Sequence, residues 1–285
     1  MPQRKNANST MKRIATLTIL CFLCAPAVQT VGAELFLVEN GKPRAEIVIA
    51  EAPPRMTKLA AEELQAYVEK ISGAKLPIVT APSKDVDVQI YVGKSPHTNR
   101  LGISDEGLDH GAFRMVSGES WLVLLGQDRD FSLPEPWAHS RADRKRVLRE
   151  WDIIAGEKWG NPMLLLHKSF NEKLGLCEYD QRGSLNAVYQ FLRSLGVRWY
   201  LPGKENEIVP KRETLYLSKV NHVVRPDFPV RFVRFWNRFC VASREEVLWQ
   251  LRLGLNPGVA TIGLAGIGHG TVNVHARKET QEEHP

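Results

Sequence analysis

The stretch LAAEELQAYVEKISGAKLPI, residues 59–78, decides the fold. Ala60, Ala61, Leu64, Tyr67, Val68 and Ile71 recur at helical spacing, with Glu62, Glu63, Gln65, Glu69 and Lys70 between them, so residues 57–71 read as an amphipathic helix. Thr57 stands where a side chain caps the first amides, and Gly73 where a left-handed residue ends the helix. Residues 76–80 then turn strand-like, so this helix lies between strands rather than in a bundle.

Outward from this helix the pattern is mixed. Residues 34–38 and 45–50 read as two short strands around Asn40 and Gly41. In residues 86–92, Val86, Val88, Ile90 and Val92 alternate with Asp87, Gln89 and Tyr91, which predicts a strand with one buried face. Residues 112–116 and 121–125 flank Ser117, Gly118 and Glu119 as a hairpin whose glycine is free to take positive φ. A second amphipathic helix is predicted over 184–195, with Leu185, Val188, Phe191, Leu192 and Leu195 on one face and Gly196 as its stop. Strand-like pieces at 197–200, 207–209 and 214–217 follow, with Trp199 and Tyr200 as packing residues. Residues 130–180 are irregular around a charged helix at 141–150, the texture of an insertion.

Two passages carry a family likeness. Residues 59–78 resemble the helix-to-strand passage in the N-terminal domains of bacterial α-glucuronidases and β-N-acetylhexosaminidases, and NAVYQFLRSLGVRWYLP, residues 186–202, resembles the second helix of the same domain. The likeness extends over 34–217, with 130–180 as a longer insertion. It implies an α+β fold: a mixed β-sheet with two main helices packed on one face, preceding a (β/α)8 barrel that holds the catalytic carboxylates. The accessory domain of that family does no chemistry itself.

Domain boundaries follow. Lys12 and Arg13 precede an apolar run at 14–28 and a small-residue stretch ending at Ala33, so residues 1–33 read as a cleavable export signal and the protein as secreted or periplasmic. That run is too short for a membrane span, and none is expected elsewhere. The α/β domain covers 34–225. Past Arg225, Pro226, Asp227, Phe228 and Pro229, a strand at 229–236, a helix at 245–253 and an apolar then glycine-rich stretch at 259–270 read as the incomplete start of a barrel over 226–285. A barrel needs eight such units, so on this reading the chain is truncated near the barrel's start.

Charge narrows the partners. The net charge is +6, but four of the 38 Lys and Arg lie in the first 33 residues with no acid there, so the remainder is nearly balanced against 32 acids. The only dense basic run, 141–149, is interrupted by Asp143 and reads as a solvated helix, so nucleic acid is not an expected partner; carbohydrate is the partner that the family resemblance implies. Two of the four cysteines fall in the signal. Cys177 and Cys240 are left as a bridge or as two buried thiols.

No catalytic residue is assigned. Glycoside hydrolysis needs two carboxyl groups flanking the bond, one of them with a raised pKa. Beyond Pro229 the acids are Glu245 and Glu246, at a helix start where acids meet the dipole, and Glu279, Glu282 and Glu283 in a polar tail. Asp128, Asp130, Asp152 and Asp180 read as loop acids. Candidate sugar contacts are Arg231 and Arg234, one of which holds the place of the arginine that grips ring hydroxyls in hexosaminidase-type barrels. The aspartate that follows it in those enzymes is replaced by Trp236 and Asn237. Trp236, His269 and His275 complete the substrate-contact candidates. His269 sits in Gly266-Ile-Gly-His-Gly270, where sugar contact, metal ligation and a structural loop are all open, but no metal or other cofactor is expected. Trp121, Trp137, Trp151 and Trp159 serve as a sugar-stacking platform or, more simply, as packing.

Overall fold

The computed structural model describes residues 35–132, 135–136, 142–156, 170–171, 173–229, 231 and 242–255. The 1–33 signal, Cys240, the strand at 229–236 apart from Pro229 and Arg231, and the glycine-rich stretch at 259–270 lie outside them. The chain runs β1 (Phe36–Glu39), β2 (Lys42–Pro43), β3 (Ala45–Val48), α1 (Arg55–Ser72), β4 (Ile78–Val79), β5 (Val88–Val92), α2 (Pro96–Arg100), β6 (Phe113–Ser117), β7 (Trp121–Gly126), α3 (Arg144–Ala155), β8 (Phe170–Asn171) and β9 (Leu176–Cys177). It continues with α4 (Gly183–Ser194), β10 (Arg198–Trp199), β11 (Glu207–Ile208), β12 (Leu215–Tyr216), β13 (Asn221–Val224) and α5 (Arg244–Arg252).

Six strands make the main sheet, in the order β13-β6-β7-β5-β3-β4. β7, β5, β3 and β4 run parallel, while β6 is antiparallel to both β7 and β13, so the sheet is mixed and the protein is of α+β character. A smaller sheet, β12-β1-β2, lies beside it. Val88, Ile90 and Val92 of β5 and Leu122 and Leu124 of β7 share one core with Leu64, Tyr67 and Val68 of α1 and Leu185, Val188 and Leu192 of α4. Both long helices therefore cover one face of the sheet. The other face holds a small cluster of Ile103, Val123 and Leu125. Each fully buried Leu, Val or Ile on the helix-covered face contributes about 1.5–3 kcal/mol through apolar area removed from water.

Local chemistry explains the helix ends. Gly73 takes φ +80° and its N–H donates to Glu69 O at 2.8 Å, so α1 ends as its glycine predicts. At the other end α1 begins two residues earlier than the periodicity suggests, directly after Pro54, with no side-chain cap. Thr57 lies inside the first turn and its hydroxyl donates to Asp128, so it does not cap the helix. The Arg55 N–H is met from across the molecule by Asp130 Oδ1 at 2.8 Å.

The structure differs from the sequence reading at four further points. Residues 45–48 do not pair with β1: Asn40 and Gly41, both at positive φ, close a tight turn onto Lys42–Pro43, and the chain then enters the main sheet. Gly118 does not adopt positive φ. It is required because a Cβ there would stand 2.2 Å from the Trp121 ring. Trp199 packs as expected, whereas Tyr200 is exposed. β13 carried no periodic signal, since it is an edge strand with Asn221 and His222 exposed. Among the described residues no helix is long and apolar enough to cross a membrane.

Candidate functional site

The carboxyl ends of the parallel strands are where α/β sheets most often place chemistry, and here the loop after β7 gathers acids. Gly126 and Gly183 touch backbone to backbone: a Cβ on Gly126 would lie 2.5 Å from Gly183 Cα. This contact brings the first turn of α4 to the end of β7. Ser184 Oγ accepts from Gly126 N at 3.0 Å, and Ser184 N donates to Asp128 Oδ1 at 3.0 Å. Asp128 Oδ2 accepts from the Thr57 hydroxyl at 2.9 Å. One carboxylate thus joins the first turns of both long helices. Burial raises its pKa to about 6, and the hydrogen bonds from Ser184 and Thr57 lower it less than burial lifts it.

Asp180 is held by a different set of donors. Its Oδ1 accepts from Arg55 Nη2 at 2.5 Å and Phe131 N at 2.8 Å, and its Oδ2 from Arg55 Nε at 3.0 Å and Cys177 N at 2.9 Å. Four donors fill its acceptor sites, which leaves nothing with which to take a substrate proton. Arg182, also buried, donates to the carbonyls of Asp180, Glu178 and Leu255. Burial pushes its pKa down to about 10, against the opposing charges of Asp180 and Glu178. Asn186 Nδ2 donates to Gly111 O at 2.8 Å, whereas its buried Oδ1 has no partner among the described residues.

A second cluster lies under α5. Glu63 accepts from Arg252 Nε and Nη2 at 3.0 and 3.3 Å and from the Tyr189 hydroxyl at 3.2 Å. Glu207 accepts from Lys70 Nζ at 2.6 Å and the Tyr67 hydroxyl at 2.5 Å, and Trp199 Nε1 donates to that hydroxyl at 2.7 Å. Burial alone would raise the Glu207 carboxyl, but the bonds from Lys70 and Tyr67 and the charges of Lys70 and Arg252 outweigh it and hold it below the ordinary range. Tyr67 is pushed far up, chiefly by burial. Two carboxylates, Glu63 and Glu207, converge here on the Arg252 guanidinium.

No family model and no curated protein matches the sequence. Among solved structures the chain is similar to a family GH115 4-O-methyl-α-glucuronidase with specificity for decorated arabinogalactans, at 18% identity and a TM-score of 0.41. That match covers 68% of this chain and 19% of the other, so the chain spans about a fifth of that enzyme's length.

Of the residues singled out as sugar contacts, Arg231 alone lies among those described. Its Nε donates to Gly254 O at 3.0 Å, its Nη1 to Phe228 O at 2.6 Å and its Nη2 to His110 O at 3.1 Å. These bonds tie three segments together. Arg234, Trp236, His269 and His275 lie outside the described residues, as do Glu279, Glu282 and Glu283. Glu246 forms a capping box with Ser243, its Oε2 accepting from Ser243 N at 2.7 Å, and Glu245 shares that first turn. Among the described residues no three His, Cys, Asp or Glu gather as metal ligands. Sequence reasoning placed Glu63 on the polar side of α1, but it is buried. The available signal was its position one turn before Tyr67, on the apolar stripe.

Proposed function

We propose that this chain is an exported, non-catalytic accessory module of a glycoside-hydrolase-like protein of carbohydrate metabolism, the cleavage chemistry belonging to a barrel outside the residues described. One observation carries the reading: the buried carboxylates Glu63 and Asp180 are spent on cations and backbone amides, and Asp128 on the first turns of α1 and α4. Each of these carboxylates is engaged in joining parts of the fold to one another. The passages resembling the glucuronidase and hexosaminidase accessory domain fold as α1 and α4 side by side on one sheet face, which supports the same reading. The full chain is expected to release no product from aryl glycosides or decorated polysaccharides. Turnover that disappears on Asp128→Asn or Glu207→Gln would overturn the proposal.

A second reading, a glycan-binding protein without catalysis, is favoured by Phe228, which is 70% exposed and whose carbonyl accepts from Arg231. An exposed aromatic side chain suits stacking on a sugar face. Arg234, Trp236, His269 and His275 remain proposed contacts of that site. Glycan-array binding lost in both Phe228→Ala and Arg231→Gln supports this reading, and an array without signal rejects it.

A further inference from the structure

The end of α5 is gripped by three arginines, two from the opposite ends of α4 and one from the segment that follows β13. Arg193 Nη2 donates to Arg252 O at 2.6 Å, Arg231 Nε to Gly254 O at 3.0 Å and Arg182 Nη1 to Leu255 O at 3.3 Å. The last carbonyls of a helix lack intrahelical partners and carry its negative dipole end, so cations there satisfy both needs. Arg252 itself reaches the opposite way, between Glu63 and Glu207, with its guanidinium 5.2 Å from the Tyr67 ring centre and 5.8 Å from that of Trp199. At its other end α5 is fixed by the Ser243–Glu246 capping box, and Asn171 Nδ2 donates to Ala242 O at 3.3 Å.

Among the described residues, these contacts between the segment and the rest of the fold run through side chains. Val247, Leu248 and Leu251 pack into the core, and the backbone hydrogen bonds of residues 243–255 are local among the described residues. A nine-residue helix is too short to persist in water by itself. The sheet, by contrast, is closed by strand ladders in which α5 has no part.

We infer that residues 242–255 form a strap that opens as a unit while the sheet and its two long helices stay folded, and that Arg252, seated between two carboxylates and two aromatic rings, is its clasp. Opening bares Tyr67, Tyr189 and Trp199 together with Glu63 and Glu207. The inference does not depend on the accessory role. Its test is amide hydrogen exchange on the full chain. Arg252→Met leaves a buried carboxylate without its cation and is expected to speed exchange in 244–255 by about 100-fold, with β5 and β7 unchanged. Arg193→Gln, which leaves the Glu63 pair intact, is expected to speed the same residues by about 10-fold. Equal acceleration in the sheet, no acceleration in either variant, or loss of folding in Arg252→Met would each overturn the strap.

Discussion

Asp128 and Glu207 are both shielded carboxylates at the ends of short connections, yet their surroundings drive them in opposite directions. Asp128 is met by a backbone amide and a hydroxyl, neutral donors supplied by the first turns of α4 and α1, and burial wins. Glu207 is met by an ammonium and a phenol with a guanidinium nearby, and the cations win. Burial of an acid therefore says little by itself. What decides its protonation is whether a full charge faces it.

The contrast is sharpest at the contact that builds the first region. Gly126→Ala drives a Cβ into the Gly183 backbone, where no flexible side chain can yield, and displaces the Ser184 amide from Asp128. A loss of about 3 kcal/mol is expected in the urea midpoint, and retention of wild-type stability would show that α4 can shift freely.

Asp128→Asn comes next. A carboxyl whose folded pKa is raised from the ordinary 3.8 to about 6 contributes stability below the lower value that is lost as pH rises through the higher one. The asparagine variant is expected to match the wild type below about pH 4 and to exceed it by about 2 kcal/mol at pH 7. That is less than the full shift implies, because Asp128 retains some contact with solvent. A pH-independent difference would mean that neutral donors suffice to keep this acid ionised.

Glu207→Gln has the smaller effect and the opposite sign. A carboxyl held low contributes stability above the ordinary range, which is lost as pH falls through its folded value. The variant is expected to lose about 1 kcal/mol at pH 7, with the gap closing below about pH 4. Thermal melts at pH 3.5, 5 and 7 read both variants side by side, and a gap that widened in acid would reverse the assignment of charges around Glu207.

The two long helices were legible because their apolar residues recur at helical spacing and each is followed by a glycine that the structure finds at positive φ, Gly73 and Gly196. Alternation in residues 86–92 and the hairpin around Gly118 marked three strands of the sheet, while its mixed character was implied by the resemblance to the accessory domain. The pairings that build the two acid clusters were not legible. Glu63 meets Arg252 across 189 positions, and Asp128 meets Thr57 and Ser184 across 71 and 56. No local pattern encodes such pairings, because each helix presents its polar atom to a neighbour chosen by the fold. Glu63 was misplaced for the same reason: it reads as one more solvated acid until Arg252 is known to lie over it. The capping box of α5, contained within four residues, conforms to the expectation that acids gather at its start.

The edge strands put a clock on folding. β6 pairs with β13 and β1 with β12, so Val116 waits for Asn221 and Phe36 for Tyr216, partners more than a hundred positions down the chain. Long loops must close before such ladders yield any hydrogen bonds, which makes assembly slow compared with the helix formation that precedes it. During synthesis, until residue 224 emerges, β6 presents an open edge, and a chaperone or a second nascent chain has that interval in which to pair with it.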